Sequence, residues 1–88
     1  MPKGESKSVH SEQFPFFQEL LVATRKGAGV TQVAMARALE KSQQYVSHVE
    51  NGDVRLDYLQ LRKWLAACDV SIVDFAVELE RRLQKAGL

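Results

Sequence analysis

Four polar residues, Gln43, Gln44, Ser47 and His48, stand at i, i+1, i+4 and i+5 directly after Ser42. On a helix of 3.6 residues per turn this spacing groups them on one face, with Val46 and Val49 on the other. A glutamine amide donates and accepts at once, which matches the N6 and N7 edge of adenine. Either Gln43 or Gln44 can supply such a pair, at about 1–3 kcal/mol of discrimination for good bidentate geometry. Ser47 is short and permits close approach, while His48 reads equally as a base reader or as a solvated surface histidine. The chemistry this group suits is hydrogen bonding to base edges in a major groove.

Other residues suit the sugar–phosphate backbone. Gln32 is the first residue inside a helix that begins after Thr31, where unbonded backbone amides and its own side chain can meet a phosphate oxygen. Lys41, Asn51 and Arg55 flank the helix of Gln43 and Gln44 and are phosphate candidates, Asn51 partly through its backbone amide. A merely solvated charge is an equal reading of Arg55. Catalytic inventories are missing: the histidines are His10 and His48, Cys68 sits among apolar helical positions, and there is no Gly-rich phosphate loop or metal-ligand cluster. No enzyme, cofactor or metal is expected.

The elements that must position these residues are all helical. Helix 1 is expected from Pro15 to Lys26, with Phe17, Leu20, Leu21 and Thr24 on one side and Gly27-Ala28-Gly29 as its stop. Thr31 caps helix 2, which turns Met35, Ala36 and Leu39 inward, and Ser42 caps helix 3, which ends at Asn51-Gly52. Helices 2 and 3 are joined by a turn too short for antiparallel packing, the shape of a helix-turn-helix. Asp57 caps helix 4, with Tyr58, Leu61, Leu65 and Cys68 at helical spacing and Trp64 at one edge. Ser71 caps helix 5, with Asp74 as a weaker form of the capping box. The expected fold is all-α, with a flexible N-terminal arm over residues 1–13 and one domain over 14–88, including a C-terminal helix at 71–85.

The segment from about Leu21 to Phe75 resembles the Cro/lambda-repressor-like (XRE) family of DNA-binding domains. The residues that carry the likeness are Arg25, Thr31-Gln32, Met35-Ala36, Ser42-Gln43-Gln44, Val46 and Glu50-Asn51-Gly52. The resemblance implies a five-helix domain with a helix-turn-helix at helices 2 and 3, and a backbone-gripping role for Gln32. It also implies a partly buried ion pair between Arg25 and Glu50 that holds the recognition helix. One position departs from the family pattern. Glu40 stands where the turn usually has glycine, since that turn favours positive φ, and a side chain there costs roughly 1 kcal/mol. It also brings a negative charge near the expected DNA surface.

Helix 5 carries Ile72, Phe75, Ala76, Leu79 and Leu83 at helical spacing. Beyond Phe75 the stripe outruns the family core, which leaves two readings of Leu79 and Leu83: a dimer interface, or a fold-back onto Trp64 or Phe14.

Composition agrees with one compact domain: 88 residues, 45% hydrophobic and 26% charged. The absence of a long apolar run or a hydrophobic signal region leads us to expect a soluble, cytoplasmic protein with no membrane partner. Cys68 is the one cysteine, so a buried thiol is expected. Net charge is only +1, and from Val22 to Arg55 five bases face three acids. Few phosphate contacts per subunit follow, and useful affinity then calls for two subunits. The leading expectation is a sequence-specific regulator of transcription, a repressor acting as a homodimer on a palindromic double-stranded DNA operator. The alternative is an antitoxin that masks a toxin partner, or a protein-interaction module with weak or no DNA binding.

Overall fold

The computed structural model describes residues 11–88. The expected arm lies outside the described residues over positions 1–10. Ser11 to Gln13 form a turn in which the Ser11 hydroxyl accepts from the Phe14 amide at 3.2 Å. Among the described residues there are five helices and no strand: α1 (Phe14–Gly27), α2 (Gln32–Leu39), α3 (Gln43–Glu50), α4 (Tyr58–Ala67) and α5 (Ile72–Lys85).

Three of the four connections are built from one local device. Gly29, Glu40 and Asp69 each take positive φ (74°, 58° and 59°) just beyond a helix. The next residue's amide then reaches back to a carbonyl five residues earlier: Val30 to Arg25, Lys41 to Ala36 and Val70 to Leu65. A hydroxyl residue follows at once, Thr31, Ser42 or Ser71, and caps the next helix by accepting from the amide three positions on. Such joints satisfy orphan groups on both helices in three residues, which forces neighbouring helices to turn sharply. Only one of the three positive-φ positions is glycine, so Glu40 and Asp69 hold strained backbone. The fully reciprocal capping box is at Asp57 with Gln60. At Ser71 only the hydroxyl-to-amide bond forms, so the weaker box expected with Asp74 reduces to a simple cap.

The core is assembled from Leu20 and Leu21 of α1, Met35 and Ala36 of α2, Val46 and Val49 of α3, Trp64 and Leu65 of α4, Cys68, and Phe75 of α5. Trp64 is the largest fully buried side chain, and its indole donates to the Leu21 carbonyl at 3.4 Å. It is therefore the centre of α4's inner face rather than an edge residue, while Tyr58 is exposed. Shape explains the difference: among close-packed layers the inner face of α4 is the one that carries its bulkiest ring, and the indole N–H still finds an acceptor.

The α5 stripe folds back on its own domain. Leu83 is 8% exposed, and Leu79 packs against the core, lining a cleft of about 420 Å³ with Phe14, Phe17 and Leu56. Phe17 meets Phe75 edge-on at 5.8 Å. Of the two readings of Leu79 and Leu83, the fold-back fits this packing beside Phe14 and Phe17, and Leu83 has little surface left for a second subunit. Ala76 also faces outward rather than joining the stripe. The large apolar side chains that α5 leaves outside are Val73 (66% exposed) and Val77 (63%).

Candidate nucleic-acid interface

Val46 and Val49 anchor the inner face of α3, and its two ends are treated differently. At the C-terminal end Arg25 and Glu50 lie in contact, their side chains 9% and 7% exposed. Arg25 Nε donates to Glu50 Oε2 at 2.5 Å and Nη2 to Oε1 at 3.1 Å, a fork on a carboxylate. The third guanidinium nitrogen, Nη1, donates to the Val30 carbonyl at 2.8 Å. Since α1 supplies the cation and α3 the anion, the pair fixes one helix against the other, and a planar fork does so with less freedom than an ammonium would. Cys68 lies close by; burial pushes its thiol up from 9.0, with Arg25 opposing and Glu50 adding to the shift. A thiol held protonated is a packing residue rather than a nucleophile.

Gln32 stands between this pair and the start of α3. Its amide nitrogen donates to Glu50 Oε1 at 2.9 Å, and its oxygen accepts from Gln43 Nε2 at 3.4 Å. The side chain is thus largely engaged inside the protein, and what it has left for a phosphate is one N–H together with the backbone amides at the start of α2.

At the other end, and along the outer face as far as His48, the surface is open. Gln43, Gln44 and His48 are exposed and Ser47 half-buried. Among the described residues Gln44 and His48 have no side-chain hydrogen bond, so their donors and acceptors face solvent. Lys41 leans over the Tyr45 ring, its Nζ 5.3 Å from the centroid. Arg55, after α3, stacks on Phe14 with its guanidinium carbon 4.4 Å from the centroid. The residues proposed for phosphate are therefore not gathered at one point: Lys41 stands before α3 and Arg55 after it, against the first turn of α1. The Asn51 amide donates to the Ser47 carbonyl at 2.9 Å. This corrects the expectation that the Asn51 backbone reaches phosphate, and leaves its side chain for that role.

Glu40 adopts φ 58° and ψ 44°, and its amide bonds back to Arg37. The turn keeps the geometry for which glycine is favoured, with a carboxylate in glycine's place. Sequence reasoning passed over Gln18, whose amide nitrogen reaches the Glu50 carbonyl at 2.6 Å. No capping signal or motif marks it, since its partner is 32 residues away.

A family profile described as helix-turn-helix matches residues 21–75. The chain belongs to the XRE-type helix-turn-helix family. An XRE-family like protein from Pseudomonas syringae pv. tomato str. DC3000 is similar in structure, with a TM-score of 0.78 and 26% identity over 91% of this chain and 98% of that one. No curated protein matches the chain. The XRE-type domain is that of a DNA-binding transcription regulator, and its matched span contains α2, α3 and their joint entire. No helix among the described residues is long and apolar enough to cross a membrane.

Proposed function

We propose that this protein is a sequence-specific repressor that acts in the cytoplasm as a homodimer on a palindromic operator, with α3 of each subunit in successive major grooves. The observation that carries the reading is the asymmetry of α3. Its inner face and C-terminal end are committed to the protein, while Gln44 and His48 at its outer face are uncommitted among the described residues. Gln43, Gln44, Ser47 and His48 read bases in this account. Gln32, Lys41, Asn51 and Arg55 meet phosphates, and Arg25 with Glu50 holds the helix. Dimerisation is needed because one subunit offers few phosphate contacts, and two recognition helices about 34 Å apart add their energies.

Selection of bound sequences from a random DNA pool tests the proposal, followed by a salt series on the enriched site. The expected result is an inverted repeat with half-sites one helical turn apart, bound by two subunits, with affinity falling steeply as salt rises. Failure to enrich any sequence would contradict it. A protein partner is favoured instead by Glu40, whose charge lies beside the start of α3, and by the exposed Val73 and Val77. Under that second reading, a toxin-masking or interaction module, the chain binds no DNA even at low salt.

A further inference from the structure

The last turn of α3 leaves four carbonyls without helical partners, and three are satisfied by the turn that follows. Asn51 donates to Ser47, Asp53 to His48 and Gly52 to Val49. The fourth belongs to Glu50, and the amide of Gln18 takes it at 2.6 Å. Gln18 lies two turns before Arg25, on the same face of α1. Glu50 is thus held by its carboxylate through Arg25 and Gln32, and by its backbone through Gln18. The fit is close on the other side as well: a Cβ on Gly52 would lie 3.0 Å from Gln18 Oε1 and 3.3 Å from Phe14 Cε2. Residue 52 has φ +87°, which closes the turn under Gln18.

We infer that Gln18 is a positioning residue for DNA readout, fixing the pitch of α3 from its C-terminal end. It lies outside residues 21–75, the span shared with the family, and this inference rests on the DNA-reading function proposed above. The eight residues of α3 make a lever about 12 Å long, so a tilt of roughly 5° at Glu50 moves Gln43 and Gln44 by about 1 Å. A shift of that size degrades a bidentate base contact, whereas long basic side chains follow a phosphate across it. Loss of Gln18 therefore reduces selectivity rather than binding in general.

Gln18→Met keeps the length and helical preference of the side chain and removes its amide. Its dissociation constants for the enriched operator and for random-sequence DNA are to be measured beside those of the parent. Amide hydrogen exchange is to be measured at Asn51, Gly52 and Asp53 without DNA. The expected result is operator binding weakened about ten-fold, random-DNA binding within two-fold, and exchange at the three amides faster while that of α5 is unchanged. Equal losses on both DNAs, with faster exchange throughout, would overturn the inference and leave Gln18 an ordinary stabilising contact. So would unchanged operator binding. If the parent itself shows no operator preference, the proposed function fails first, and exchange at the three amides still shows whether Gln18 fixes the end of α3.

Discussion

Arg25 with Glu50, and Glu78 with Arg81 and Arg82, are charged clusters made from the same two chemical groups. In the first, both side chains are more than nine-tenths buried. In the second, Arg81 is 61% exposed and Glu78 35%. The short contacts are similar, 2.7 Å and 2.8 Å in the α5 cluster. Burial makes the difference, because water competes for every bond of the outer cluster and for almost none of the inner one. The inner pair joins residues 25 apart and thereby two helices, whereas the outer cluster joins residues three and four apart on one helix. An interaction orders a fold when it is both dry and long-range, and of these two clusters Arg25–Glu50 is the one that is both.

The largest expected effect follows from removing one charge of the inner pair. Glu50→Gln leaves Arg25 buried without a counter-charge, at a cost of about 3–5 kcal/mol, and calorimetry should find a melting temperature lowered by 10 °C or more, roughly, at this chain length. An unchanged melting temperature would place the pair in water and erase the contrast. A smaller loss is expected at Leu83, one face away from the outer cluster on the same helix. Leu83→Ala should cost about 2 kcal/mol by denaturant titration, because that side chain belongs to the core. If it instead lowered only the association state, α5 would be an interface after all.

Smaller again is the turn. Glu40→Gly relieves positive φ and should raise stability by about 1 kcal/mol, less the entropy glycine adds to the unfolded chain. Operator affinity should hold or improve, as an acid leaves the DNA side. The smallest effect belongs to Glu78. Hydrogen bonds from Arg81, then from Arg82, hold its carboxyl at about 2 against an ordinary 4.5. A depressed carboxylate stabilises the fold above its unfolded value, and that contribution fades as pH falls from about 4.5 through about 2. Solvent screening keeps it small, so Glu78→Gln should barely move the melting temperature at pH 7. An NMR titration of Glu78 should show the low midpoint, rising with salt.

The sequence alone carried whatever is local. Thr31, Ser42, Asp57 and Ser71 announce their helices because a cap is read within three residues, whereas the left-handed turn at Glu40 is implied by the family resemblance, which usually has glycine there. The polar face of α3 follows from spacing. Tertiary partners were less legible. An apolar stripe such as Leu79 and Leu83 states that it is covered, without stating by what; here it lies against the domain's own core, beside Phe14 and Phe17. The depth of Trp64 is not legible, because helical spacing locates a face but not the depth at which a ring sits. Gln18 carries no signal in its neighbours, since the carbonyl it bonds, that of Glu50, is 32 residues away. Asp57 and Gln60 have the spacing of a capping box as clearly as Ser71 and Asp74, and the longer glutamine closes the reciprocal bond.

In the proposed function the exposed face of α3 specifies bases while the phosphate-contacting residues only position the domain. Gln44→Ala tests it most directly, because Gln44 is exposed and tied to nothing else among the described residues. Its dissociation constants should be measured on the enriched operator and on random-sequence DNA at one salt concentration. We expect a loss of about 1–3 kcal/mol on the operator and almost none on random DNA. Equal losses on the two DNAs, or no loss on either, would contradict the assignment of α3 as the reading helix.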